Sequence, residues 1–208
     1  MNFANYDAFR VNFMQLADGD DVSQASFSPT TADLIIGLGE NRVYHDLRAS
    51  TMVTALNLAP VSTVYTLPSR LVELKELYFS GDAPVEIVPL DKIRKLQADG
   101  SYAGHTVYAA QNGDKLEFWP SATANVLGSY YARPTLDLKD ETTWAAQTTF
   151  ARYPEVFLFA ALAEMFPFVS TASSPEIYER QYTRAVARAH ADEQLRVYGG
   201  SPLRIRVR

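Results

Sequence analysis

The sequence contains no cysteine. Without a thiol the chain cannot form disulfides, use a thiolate nucleophile, or hold zinc or an iron–sulfur cluster through cysteine. Long apolar runs are also missing, because the most apolar stretch, residues 156–163, is much shorter than the roughly 18 residues of a membrane span. The opening residues MNFANYDAFR lack the basic start and apolar run of a secretory signal, so we expect a protein that is made and kept in a cytoplasm.

Recognisable catalytic and metal-binding patterns are missing as well. The three histidines stand in separate segments without the spacing of zinc ligands: His45, His105 and His190. The acidic segment at 18–21 lacks the distal glutamate of a calcium-binding EF-hand, and Gly37-x-Gly39 lacks the third glycine of a dinucleotide site. The sequence therefore predicts no catalytic residues, no metal and no cofactor, and a protein that is not an enzyme.

Charged residues are scarce, at 21% of the chain, and acids outnumber bases by 24 to 19, which gives a net charge of −5. Such a balance argues against nucleic-acid binding by the whole surface, although it is compatible with a local basic patch. Aromatic residues are abundant, with 12 Tyr, 11 Phe and 2 Trp. This composition fits a chain that buries surface against partners, and it fits an aromatic-rich monomer equally well.

The apolar residues change their spacing along the chain, with helical spacing at both ends and strand-like spacing in the middle. Helices are predicted over about 5–17, from Ser28-Pro29 to about residue 49, from Pro154, and from Pro175 to about residue 198. In the second helix Leu34, Leu38 and Val43 could face one way, with Ile35 beside them, and Gly37 and Gly39 could allow a close helix crossing.

The middle of the chain, about 51–134, favours strands. A hairpin is predicted around Asn112-Gly113, and a further strand over 126–132. The segment 71–79 fits neither period well and is interpreted as a strand, whereas 91–99 predicts a short helix. The order of elements predicts an α+β fold: residues 1–50 and 138–200 form a helical bundle, and residues 51–137 form an inserted domain that resembles a β-sandwich or barrel.

Two features suggest surfaces that contact other molecules. Arg180, Arg184 and Arg188 lie at i, i+4 and i+8 of the last predicted helix, which makes one basic stripe that either faces solvent or docks on an acidic partner. The tail at 201–208 alternates apolar and cationic residues, as a strand with two different faces does. Such a tail could add to the sheet edge of another chain or pack on its own β domain.

Several motifs over roughly 60–195 resemble the head-to-tail adaptor, or connector, proteins of short-tailed bacteriophages. They are, in order, Leu67-Pro68 before 71–79, Gly104-x-x-x-Tyr108, Gly113-x-x-Leu116-x-Phe118-x-Pro120, Tyr130-Tyr131-x-x-Pro134 with Leu136, the Pro154-led apolar helix, and a helix with Tyr178 and Tyr182. The pair His105-Thr106 departs from the pattern, since relatives often have a proline just before the hairpin.

The resemblance implies a virion structural protein that is assembled in the host cytoplasm and placed at the head–tail junction. Members form a twelve-fold ring beneath the portal, link it to tail or nozzle proteins, and line the channel through which genomic DNA passes without sequence-specific binding. No membrane is involved. On this basis the tail is expected to dock on the portal or a neighbouring subunit, through Leu203, Arg204, Ile205, Arg206, Val207 and Arg208.

The resemblance also implies that the apolar helix after Pro154 packs between subunits. The residues expected in that contact are Phe157, Phe159, Leu162, Phe166 and Phe168. Two other functions stay open at this point. One is a tail-terminator or tail-completion ring, which would bind the tail tube and not the portal. The other is a soluble β-domain that binds a ligand, with the helices as its scaffold.

Overall fold

The computed structural model of the protein describes residues 3–18, 28–59, 65–79, 85–100, 107–120, 124–134, 137–139, 148–168 and 175–198. The chain forms two compact units, one made of Met1–Thr51 with Pro134–Arg208 and the other of Met52–Arg133. The first unit is helical, and the second contains two sheets and one helix. The fold is therefore α+β, which confirms the fold class predicted from the sequence.

The helices in chain order are α1 Tyr6–Asp18, α2 Pro29–Asp46, α3 Leu90–Asp99, α4 Thr148–Arg152, α5 Pro154–Glu164 and α6 Pro175–Tyr198. The strands are β1 Val53–Leu58, β2 Tyr65–Thr66, β3 Leu71–Phe79, β4 Val85–Ile87, β5 Val107–Asn112, β6 Lys115–Trp119 and β7 Val126–Ala132. Short 3₁₀ turns at Ser50–Met52 and Phe166–Phe168 follow α2 and α5.

The α5 helix is the centre of the helical unit. It carries only two charged residues, Glu155 and Glu164, one near each end, and eight of its eleven residues are buried. A helix that is apolar on all sides must be covered on all sides, and α5 accordingly contacts α1, α2, α4 and α6. Most faces of α5 are therefore buried within its own unit.

The contact of α2 with α5 is a close one, and it depends on Gly39. A Cβ atom built on Gly39 would lie 2.5 Å from the backbone nitrogen of Ala161, whereas one built on Gly37 would meet nothing within 4 Å. Only a glycine lets the two backbones approach so closely. Of the two glycines that the sequence suggested for a helix crossing, Gly39 therefore makes it and Gly37 does not.

The Gly39 contact also fixes which side of α2 faces the core. Residues that share its side of the helix are buried, among them Ile35, Ile36 and Val43. Leu34 and Leu38, which were expected to face the same way as Val43, are 55% and 37% exposed. That expectation was wrong, because it considered only the spacing of the leucines. The buried face of α2 is set instead by Gly39, where the helix meets α5.

Aromatic rings connect α1, α4, α5 and α2 through the core. Phe9 and Phe157 lie on either side of Phe150, each with its ring centroid 5.3 Å from the Phe150 centroid. Tyr44 then meets Phe157 at 5.6 Å. All three pairs are edge-to-face, the geometry that aromatic quadrupoles favour, at roughly 0.5–1.5 kcal/mol per pair beyond burial. This chain of rings joins the N-terminal helices to those near the C-terminus.

A polar network one turn further along α2 than Gly39 binds α5 and α6. Arg42 donates to both carboxylate oxygens of Glu179, at 2.8 and 2.7 Å, and to Glu164 at 3.0 Å. Its guanidinium also lies 4.4 Å from the ring centroid of Tyr182. The hydrogen bond from Arg42 is the main cause that holds the pKa of Glu179 below its usual value. One arginine thus ties α2 to α5 and α6, whose contacting residues lie 122 and 137 positions away in sequence.

The second unit contains two open sheets. One has the strand order β1-β7-β3 and the other β2-β6-β5-β4, with β4 parallel to β5 and all other pairs antiparallel. Neither sheet closes into a barrel among the described residues. The core between them is apolar and includes Tyr65, Leu77, Phe79, Leu116, Phe118, Val126 and Tyr130.

Strand β3 explains why its sequence fitted no single period. Its register against β7 shifts between Leu71 and Glu73 and again between Leu74 and Glu76. Each shift of this kind changes which face the following side chains occupy. The apolar residues therefore fail to alternate along the strand, although they do point to the core at Leu77 and Phe79.

The predicted hairpin is present, with its loop shifted by one residue. Asn112 pairs with Lys115, so the loop residues are Gly113 and Asp114 and not Asn112 and Gly113. Gly113 has φ of +62°, a value that glycine adopts without strain. The glycine fixes the turn, and Asn112 belongs to the strand.

We expect Gly39→Ala to lower the free energy of unfolding by about 1–3 kcal/mol, because the added methyl group overpacks the α2–α5 contact. Gly37→Ala is the matched control: it adds the same methyl group to the same helix in open space, and helix propensity predicts a gain of up to about 1 kcal/mol. Urea denaturation of the two variants measures both effects. Equal midpoints would contradict the close crossing at Gly39.

We expect Arg42→Met to lower stability at neutral pH by about 1 kcal/mol, since Glu179 is 46% exposed and solvent screens its ion pair. Because the pKa of Glu179 is depressed in the folded state, its contribution is present above its unfolded pKa and is lost as the pH falls through the folded value. The gap between wild type and variant should therefore shrink below about pH 4.

Thermal melts from pH 7 to pH 3 measure this gap. Arg196→Met is the matched control, because Arg196 forms a single pair with Asp192 on the same helix, at 2.9 Å, without bridging helices. A gap for Arg42→Met that stays constant down to pH 3 would show that the residue acts through packing and not through its carboxylate partners.

Candidate assembly surfaces

The described residues offer no recognisable reaction centre. They contain no group of three or more His, Cys, Asp or Glu side chains that could hold a metal ion. His45 is exposed and lies 3.1 Å from Asp46, His190 is half-buried on α6, and His105 lies outside the described residues. No helix in the described part of the chain has the length and apolar character needed to span a bilayer.

One pocket of the β unit lies beside the hairpin loop. Its lining residues are Leu67, Pro68, Ser69, Leu71, Gln111, Gly113 and Asp114. Asp114 is the single ionisable side chain among these residues. A general acid–base mechanism needs a second proton-transfer group or an oriented partner, and this lining supplies neither.

The buried carboxylates at described positions, Glu40 and Glu193, have structural partners. Glu193 accepts hydrogen bonds from the backbone N–H of Ser50 at 2.8 Å and from the Tyr153 hydroxyl at 2.7 Å, and it pairs with Arg152 at 3.1 Å. Burial pushes the pKa of Glu193 up, but these hydrogen bonds outweigh it and the pKa lies below its usual value. Glu193 therefore fastens Ser50, at the end of the N-terminal segment, to α6.

Glu40 has a similar role on α2. Both of its carboxylate oxygens accept from the backbone N–H of Leu138, at 3.2 and 3.1 Å. Nearby on the same helix, Asp33 pairs with Lys139 at 3.0 Å. These contacts hold the segment that returns to the helical unit against α2. These carboxylates therefore stabilise the scaffold. The candidates for function that remain are the exposed surfaces.

The most distinctive surface is one face of α6. Arg180, Arg184 and Arg188 are all exposed and share this face with Ile177 and Leu195, which are 52% and 70% exposed. Spacings of three, four and seven residues keep all five on one side of the helix. We call this set the stripe face. The sequence analysis identified its three arginines and missed the two apolar ends, although their helical spacing from the arginines was already visible.

The arginines of the stripe face make no hydrogen bond or ion pair with the described residues. The other cations at described positions of the helical unit all make such contacts: these are Arg10, Arg42, Arg48, Lys139, Arg152 and Arg196. Among the cations that the structure describes in this unit, those of the stripe face are thus the ones without such a contact.

A second surface lies where α1 ends and α6 begins. The hydroxyl of Tyr178 donates to the carbonyl oxygen of Leu16 at 3.2 Å, and the Tyr178 ring lies 6.3 Å from that of Phe166. Leu16 and Phe168 are 46% and 39% exposed. We call Leu16, Phe166, Phe168 and Tyr178 the end patch. Its exposed part is apolar, which is typical of a contact surface.

The structure divides the five residues expected to pack between subunits. Phe157 and Leu162 are buried inside their own unit, at 1% and 0% exposure. Phe159 and Phe166 are half-buried, and Phe168 is exposed. A contact with another subunit therefore has Phe159, Phe166 and Phe168 available to it. The tail residues 203–208, also expected to dock, lie outside the described residues.

The comparison with known families points to an assembly protein, which agrees with a structure whose candidate functional features are exposed surfaces. The model of the SU10 adaptor protein family matches residues 5–206, which is nearly the whole chain. No curated protein matches the sequence. The family match extends across the N-terminal helices, which precede the motifs quoted for the phage adaptors, and across both units of the fold. The chain therefore belongs to the SU10 adaptor protein family.

Proposed function

We propose that this protein forms a ring beneath the portal of a phage head and links the portal to tail or nozzle proteins, while genomic DNA passes through the ring. The observation that carries the proposal is the family match over 5–206, which makes the chain a phage adaptor protein and a virion component. An adaptor acts by assembly, and family membership implies a structural and not a catalytic role.

The exposed surfaces of the helical unit support a ring. In a closed ring of identical copies each subunit meets its two neighbours through two different patches. The helical unit has more than one exposed apolar area: the end patch with Phe168, and the outer side of α2 with Leu34 and Leu38. When a partner covers apolar side chains that are exposed to this extent, their burial stabilises the complex.

The charge of the chain suits a channel for DNA. The net charge of −5 is unfavourable for tight binding along the phosphate backbone, which requires clustered Lys and Arg. DNA that must slide during ejection needs a wall to which it does not adhere. The proposal therefore assigns no base contacts and no sequence specificity to this protein.

The tail is the proposed docking segment for the portal or a neighbouring subunit. Residues 203–208 alternate Leu, Ile and Val with three arginines, so an added strand would present one apolar and one cationic side. Strand addition uses the backbone for affinity and the alternate side chains for specificity.

Deletion of residues 201–208 should leave a protein with an unchanged melting temperature that no longer binds portal rings, because the tail would dock on its partner and not support the subunit. Pull-down on purified portal rings measures the effect. A matched pair separates the two faces: Leu203, Ile205 and Val207 changed to serine, against Arg204, Arg206 and Arg208 changed to glutamine. Normal portal binding by the deletion variant would refute the docking role.

Native mass spectrometry of the chain, alone and mixed with portal rings of the same phage, tests the function as a whole. The proposal predicts a complex with about one chain per portal subunit. A chain that does not bind the portal and binds the tail tube would instead be a subunit of a tail-terminator ring. A chain that ignores both would direct attention to the β unit and its hairpin pocket as a ligand site.

A further inference from the structure

The stripe face of α6 needs an explanation beyond a solvated helix surface. From Ile177 to Leu195 it extends along about 27 Å of helix, at 1.5 Å per residue. It carries Arg180, Arg184 and Arg188 in the middle and an apolar side chain at each end. Positions 187 and 191 of the same helix are exposed alanines, so only short side chains stand beside Arg184 and Arg188 there.

On α6, Glu176 and Asp192 bracket the three arginines and offset only part of their charge. The three arginines repel one another at i, i+4 spacing, and none bonds to a described residue, whereas Arg42, Arg152 and Arg196 all have carboxylate partners. A partner from outside the subunit would offset the repulsion. It would also cover Leu195, which is 70% exposed.

The chemistry of the face favours a protein over DNA. A phosphate backbone would use the arginines and leave Ile177 and Leu195 in water. A protein surface uses both, since the centres of protein interfaces combine apolar side chains with arginine. The partner must therefore present acidic groups over the middle of the stripe and apolar groups at its ends.

A second copy of this chain satisfies that requirement. Its net charge is −5, and since the stripe face contributes three positive charges, the rest of the chain is more acidic than the total. The rest of an identical molecule carries a net negative charge, so it attracts this cationic face. Contact between two different faces is the heterologous contact from which a ring is built.

We propose that the stripe face of α6 is a subunit–subunit contact, which packs against an acidic surface of the adjacent copy of this chain. The inference rests on the proposed ring and names the surface that builds it. It gives the three arginines a role in assembly that is separate from portal docking by the tail.

The chain contains no cysteine, so Ala187→Cys places a single thiol between Arg184 and Arg188. The thiol is labelled with a photoreactive benzophenone maleimide. The variant is then illuminated alone and on portal rings, and the products are identified by mass spectrometry. The inference predicts a covalent dimer of this chain, linked from position 187 to a peptide that contains Asp or Glu.

A charge-reversal set supplies the control. Arg180→Glu, Arg184→Glu and Arg188→Glu together, in the Ala187→Cys background, should lower the yield of the dimer at least tenfold. The same number of reversals on exposed residues of the β unit, at Lys75, Lys95 and Lys115, should leave the yield within twofold. Melting temperatures verify that both sets are folded.

The outcomes separate this inference from the proposed function. Portal binding with a crosslink from position 187 to the portal, to DNA or to nothing would overturn the inference and leave the adaptor function intact. An equal loss of dimer in both charge-reversal sets would overturn it as well, because net charge and not the stripe face would then be responsible. A chain that joins neither itself nor the portal would overturn both.

Discussion

The apolar character of α5 is the constraint on which the helical unit depends. Because its residues between Glu155 and Glu164 are apolar on every side, other helices must surround it, and they come from both halves of the unit: α1 and α2 before the β unit, α4 and α6 after it. The two segments of the chain are thereby joined by one core. Gly39 sets how closely α2 approaches α5, and Arg42, one turn further along α2, pairs with residues of both α5 and α6.

The sequence predicted those parts of the arrangement that depend on a single local signal. The Ser28 cap, whose hydroxyl accepts from the Thr31 N–H at 3.2 Å, and the uniformly apolar α5 are local signals. The faces of α2 could not be predicted in the same way, because Leu34 and Leu38 are more apolar than Gly39 and yet the core needs the glycine. The double register shift in β3 is likewise decided by its pairing with β7, which sequence spacing does not reveal.

The candidate assembly surfaces also combine features that are visible in the sequence with features that depend on packing. The arginines of the stripe face were visible in the sequence because equal charges at i, i+4 are conspicuous. The apolar ends of that face, and the exposure of Leu16 and Phe168, depend on how the helices pack. In the opposite direction, Phe157 and Leu162 looked like interface residues in the context of a ring protein, and the subunit itself buries them. Strong apolarity identified the core of one copy, and moderate apolarity beside charge marks the surfaces proposed for its contacts.

Hydrogen–deuterium exchange, measured on the free chain and on its complex with portal rings, tests most directly the claim that one subunit completes its own core and assembles through other surfaces. The account predicts that α5 exchanges slowly and at the same rate in both states, whereas α6 and the C-terminal tail gain protection only in the complex. Rapid exchange of α5 in the free chain would contradict it, since the apolar helix would then depend on neighbouring copies for its burial.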